Sequence, residues 1–117
     1  MTWRQGRAAR RLYRGYCLGV LGARETNGAS SAHSPGGYTD LQLSAARDYR
    51  EGRFVIGEDW GLVFQVVLLD ATVSACAEKM GLKHGRAVAR LMDRLRSALD
   101  RLADHHEARD AADDAKG

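Results

Sequence analysis

The sequence predicts an all-α fold: a trihelical core, one helix before it, and a flexible basic arm at the N-terminus. Hydrophobic residues make up 44% of the 117 positions, with a single proline, Pro35, so long helices are permitted. Glycines concentrate before residue 62, which points to an irregular first third and an ordered remainder. From residue 84 onward, Val88, Leu91, Leu95, Ala98 or Leu99, and Leu102 recur at alternating spacings near three and four, the pattern of a helix seam. The length suits one domain with tails.

Residues 1–24 read as a basic arm. They hold six arginines and no acid, and glycines at 6, 15, 19 and 22 weaken any helix there. Arg7, Arg10, Arg11 and Arg14 would share one side of such a frayed helix, with Leu12, Tyr13 and Tyr16 on the other. Those four arginines are candidates for contacts to phosphates, like the arms that reach into a minor groove. Residues 25–38 are a linker by composition, with Gly, Ser, Asn and Pro and little to bury.

The folded unit is expected over 39–106. Thr39 followed by Gln42 is a capping-box pattern, predicting a helix from Asp40 to Glu51. Gly52 and Gly57 would bracket a short connection in which Phe54, Val55 and Ile56 form a strand-like stub or an apolar lid. Glu58 and Asp59 suit the start of a helix running from Trp60 to Leu69, nearly all apolar and therefore buried on most sides. Trp60 reads as core. Asp70-Ala71-Thr72 breaks that helix, and Thr72 caps the next, Val73 to Met80. A last helix spans about His84 to His106, and 107–117 form a frayed acidic tail.

Charge is unevenly placed. The net formal charge is +3, yet residues 71–103 carry seven Lys or Arg against three Asp or Glu, and 51–70 and 104–117 are acidic. A polyanion would meet the two basic blocks. Cys17 and Cys76 lie far apart in no metal-like spacing, so a reduced interior and a cytoplasmic location are expected. No run approaches the roughly 20 apolar residues of a membrane span. No phosphate loop, nucleophile set or convergent ligand set is legible, so neither an enzyme nor a bound cofactor is expected. His105-His106-Glu107 does not read as a metal site, because adjacent helical side chains diverge by about 100°.

The informative stretch is 72–103. A helix-turn-helix needs a small residue where its helices cross, here Ala77, and four residues on a residue that accepts positive φ, here Gly81. Leu82, Val88 and Leu91 can seal the core beneath the turn. Lys83 and His84 would then enter a groove first, and Arg86, Arg90 and Arg94 would form a cationic stripe at four-residue intervals. Arg96 and Arg101 lie off that stripe and read as salt-bridge partners.

The run Gly81-Leu82-Lys83-His84-Gly85-Arg86, followed by Arg90-Leu91, resembles the turn and recognition helix of sigma factor region 4. Over about residues 36–106 the chain also resembles an alphaproteobacterial domain of unknown function found in phage-type regulators. That domain is similar to the C-terminal part of the gene transfer agent activator. The second resemblance rests on Tyr38, Leu43, Ala46, Tyr49-Arg50, Asp59-Trp60, Gly81, Arg86, Leu95, Ala98-Leu99 and Leu102. Both imply binding to double-stranded DNA and control of phage-like or gene-transfer-agent genes, with contact to RNA polymerase. The alternatives are an adaptor that docks on the transcription machinery through its apolar helices, and a small terminase-like DNA-packaging protein. The long last helix is also a candidate surface for a homodimer.

Overall fold

The structure, a computed structural model, describes residues 2–21, 39–82 and 84–116; the predicted linker and Lys83 lie outside them. Every element among these residues is helical. In chain order they are α1 (Trp3–Gly15), which widens into π-helical turns over Tyr16–Leu21, and α2 (Asp40–Ile56). A 3₁₀ turn (Gly57–Asp59) leads to α3 (Trp60–Val63), continued by π-helical turns over Phe64–Leu68. Then follow α4 (Val73–Lys79) and α5 (Gly85–Lys116).

The 32-residue α5 is the spine. Its seam, Leu91, Leu95, Ala98, Leu99, Leu102 and Ala103, is buried, and α1, α2, α3 and α4 all pack on it. Ion pairs give the directions. Arg4 meets Asp104 and Glu107 while Arg11 meets Asp110, so α1 runs parallel to α5. Glu51 meets His105 while Arg47 reaches Asp113, so α2 runs antiparallel to it.

The N-terminal segment differs from its expectation as an arm. Residues 3–21 are helical and packed. Thr2 and Gln5 form a reciprocal capping box, and the Gln5 amide also donates to Asp100 Oδ1 at 2.9 Å. The buried stripe is Gln5, Ala8, Leu12, Gly15 and Gly19, mostly small residues. Trp3 and Tyr13, bulkier and more apolar, stay exposed. The glycines that weaken an isolated helix here admit a neighbouring backbone. A Cβ on Gly19 would lie 2.5 Å from Ala46 N and Cα, and one on Gly15 would lie 2.9 Å from the Ala45 carbonyl oxygen.

Two further boundaries move. Helix α2 continues through Phe54, Val55 and Ile56 to Gly57, whose φ of +64° ends it. Gly52 is mid-helix, against Leu12 and Leu102. The acidic tail is also no frayed end: α5 runs to Lys116, and Asp110 and Asp113 are held by Arg11 and Arg47. Burial of the α3 region is partial, with Val63 and Leu68 buried and Leu69 half-exposed. Trp60 joins a ring cluster, 5.4 Å from Tyr49 and 5.9 Å from Phe64 between centroids, which pins α3 to α2; Tyr16 extends it to α1. Cys76 is buried and free.

Two glycine substitutions separate local propensity from packing. Gly6 has nothing within 4 Å of an added Cβ, so Gly6→Ala is expected to stabilise the fold by about 0.5–1 kcal/mol. Gly19→Ala drives a methyl into the α2 backbone and should cost about 2 kcal/mol or more. Urea unfolding of both variants checks this; equal effects would mean that 3–21 does not pack as described.

Candidate nucleic-acid interface

The turn between α4 and α5 is built from the backbone up. Thr72 Oγ1 accepts from Ala75 N at 3.0 Å and starts α4. At its other end Gly81, with φ of +75°, donates to the Glu78 carbonyl at 3.0 Å, and Leu82 N donates to the Ala77 carbonyl at 2.8 Å. This pair of bonds is the Schellman arrangement, which uses up carbonyls that a helix end would leave orphaned. It also throws Leu82 back onto the core, against which Val88 and Met92 pack as well. The His84 carbonyl then accepts from Ala87 N and Val88 N, and α5 begins. Ala77 is 1% exposed, the tight contact expected of it.

The predicted site residues separate into groups. His84, Arg86 and Arg90 are exposed on the first turns of α5, and no ion pair among the described residues engages either arginine. They stand one helical turn apart, about 6 Å along the axis. Lys83 lies outside the described residues. Arg94 departs from the stripe: its Nε and Nη2 donate to Asp59 Oδ1 at 2.9 and 2.6 Å. Asp59 also accepts from Arg101 Nη2 at 3.1 Å, and Arg101 reaches the Ile56 carbonyl. Burial by itself would push the Asp59 carboxyl up, but bonds from Arg94 and Arg101 outweigh it and hold its pKa below the ordinary value. Arg94 therefore fastens the α2–α3 corner to α5, which leaves a two-arginine ridge. Arg96 approaches Asp93 only loosely, at 3.9 Å.

The four N-terminal arginines also separate. Arg11 is held by Asp48 and Asp110, while Arg7 stacks over the Trp3 ring at 5.3 Å. Arg10 and Arg14 are exposed. Sequence reasoning passed over Lys79, exposed at the end of α4 beside the turn; its position one residue before Met80-Gly81 was the available signal.

Other chemistry is sparse. His105 Nε2 lies 3.1 Å from Glu51 Oε1. His106 is buried, and its Nε2 has no hydrogen-bond partner. Burial, helped by the nearby Arg11 charge, lowers its pKa to about 4, so it is neutral at neutral pH. Among the described residues no three His, Cys, Asp or Glu side chains converge as metal ligands do. No helix among them is long and apolar enough to cross a membrane.

No protein-family model matches the chain, and no curated protein or solved structure does either.

The division among the arginines has a measurable consequence. Arg94→Ala removes a charged partner from buried Asp59 and should lower the unfolding free energy by about 1 kcal/mol, the pair being half solvated. Arg90→Ala, on an open surface, should stay within about 0.5 kcal/mol of the parent. Chemical denaturation of the two variants decides the point, and an Arg90→Ala loss as large as that of Arg94→Ala would reverse the assignment.

Proposed function

We propose that the chain is a DNA-binding regulator that reads double-stranded DNA with the start of α5. In this reading α4, the Gly81 turn and α5 act as a helix-turn-helix within a trihelical core of α3, α4 and α5. The observation that carries it is the two-sided build of the turn. Leu82, Val88 and Leu91 face the core, while His84, Arg86 and Arg90 stand exposed at the α5 N-terminus, the end that meets base edges in such units. The Arg86 and Arg90 guanidiniums, which make no ion pair among the described residues, suit phosphates or the O6/N7 edge of guanine, which Arg contacts bidentately. The resemblance to sigma factor region 4 and to phage-type regulators supports transcription of phage-like or gene-transfer-agent genes as the target process. Binding and positioning are all this surface is asked to supply, and no catalytic step is assigned to it.

A second reading, an adaptor docking on RNA polymerase or another regulator, draws on Phe54 and Met80, which are 88% and 57% exposed. Charge reversal separates the two.

Affinity for genomic duplex fragments, measured by fluorescence anisotropy across a salt series, should fall steeply with salt in the parent, by about 0.9 log units per log unit of salt for each phosphate neutralised. Arg86→Glu/Arg90→Glu should bind at least tenfold more weakly, with a salt slope smaller by about 2. Undiminished binding by the double variant would remove the start of α5 from the interface, and absence of duplex binding by the parent would leave the adaptor reading.

A further inference from the structure

The arginine face of α1 is not used by the proposed interface. Residues 7, 10, 11 and 14 fall within about 100° of one another around a helix axis. They line one wall of a groove of about 460 Å³, with Leu41 and Ser44 of α2 on the other. That volume lies in the range of about 300–1,000 Å³ that small-molecule sites occupy.

The groove's internal charge is settled by Arg11. Its Nε and Nη2 take both oxygens of Asp48, the one carboxylate in the lining, at 3.1 and 3.3 Å, and its Nη1 reaches Asp110. With Asp48 neutralised, Arg7, Arg10 and Arg14 have no carboxylate partner among the described residues. Three like charges within two helical turns repel one another, and α1 carries no acid to relieve them. The helix cannot swing away, because Ala8, Leu12 and Gly15 are buried against α5 and α2. Carried on a packed helix and facing no free carboxylate among the described residues, these guanidiniums line a concave surface suited to an anion that carries several charges close together. Leu41, half-exposed, offers an apolar wall and Ser44 a neutral donor.

We infer that the α1–α2 groove is a second anion site, which takes clustered phosphate groups between Arg7, Arg10 and Arg14. It is separate from the α5 surface. Arg11 meets Asp110, twenty residues beyond Arg90, so the two clusters lie about 30 Å apart along the spine at 1.5 Å per residue. Two sources carry such phosphates: a free polyphosphate-bearing small molecule, and the backbone of a duplex.

Sodium triphosphate titrated calorimetrically into the full chain at low salt is the direct probe. The parent should bind it. Arg10→Glu/Arg14→Glu, two exposed positions whose folding circular dichroism verifies, should weaken binding at least tenfold, and Arg86→Glu/Arg90→Glu should leave it unchanged. Absence of heat in the parent up to millimolar triphosphate overturns the site, as does binding lost only in the α5 variant. Repeating the titration with saturating duplex identifies the source: surviving heat means a free phosphorylated ligand, and abolished heat means nucleic-acid backbone. A failure here leaves the proposed DNA interface standing, since that rests on duplex binding by the α5 variant alone.

Discussion

The seam of α5 has to be covered. Leu91, Leu95, Leu99 and Leu102 lie along one side of a 32-residue helix and are at most 3% exposed. Burying four leucines is worth roughly 1.5–3 kcal/mol each, and the covering is shared among the other helices. Helices α3 and α4 cover the first turns, and α1 and α2 cover the rest from opposite directions. The arrangement follows from that division. The Gly81 turn must return the chain so that α4 lies on the start of the seam, and residues 3–21 must lie close beside its later part. Small residues on α1 and the aromatic cluster of Tyr16, Tyr49, Trp60 and Phe64 satisfy the second demand.

The covering also decides which charges remain free. Arginines at the edges of the seam are drawn into pairs that close the layers: Arg94 and Arg101 on Asp59, Arg11 on Asp48 and Asp110, Arg4 on Asp104 and Glu107. Others make no ion pair with a carboxylate among the described residues, including Arg86 and Arg90 at one end and Arg7, Arg10 and Arg14 at the other. A sequence periodicity of four places Arg94 beside Arg86 and Arg90, but it carries no information about Asp59, thirty-five positions earlier. Removing Arg94 from the stripe is a tertiary effect.

Local signals were legible where the chain's own chemistry closes them. The capping box at Thr39, the N-cap hydroxyl of Thr72, the positive φ at Gly81, the leucine seam and the break at Asp70, whose φ is +58°, all depend on residues a few positions apart. The readings that differ lie where distant packing overrides local preference. Glycines 15, 19 and 52 lower helix propensity by about 1 kcal/mol each and so suggested an arm and a loop, yet each marks a close approach inside a helix. The acidic tail looked solvated because its partners, Arg11 and Arg47, are far away in sequence. At the candidate interface, the Gly81 turn and the exposure of Arg86 and Arg90 were legible from residue spacing alone.

In the proposed function, the start of α5 is the surface that meets DNA. Backbone amide shifts of the full chain, followed by NMR during titration with a duplex, test this residue by residue. Perturbations centred on Leu82–Arg90 and on the start of α4, with the seam beyond Leu95 silent, are the predicted result. A duplex that shifts amides only elsewhere, with Gly81 through Arg90 unmoved, would contradict it.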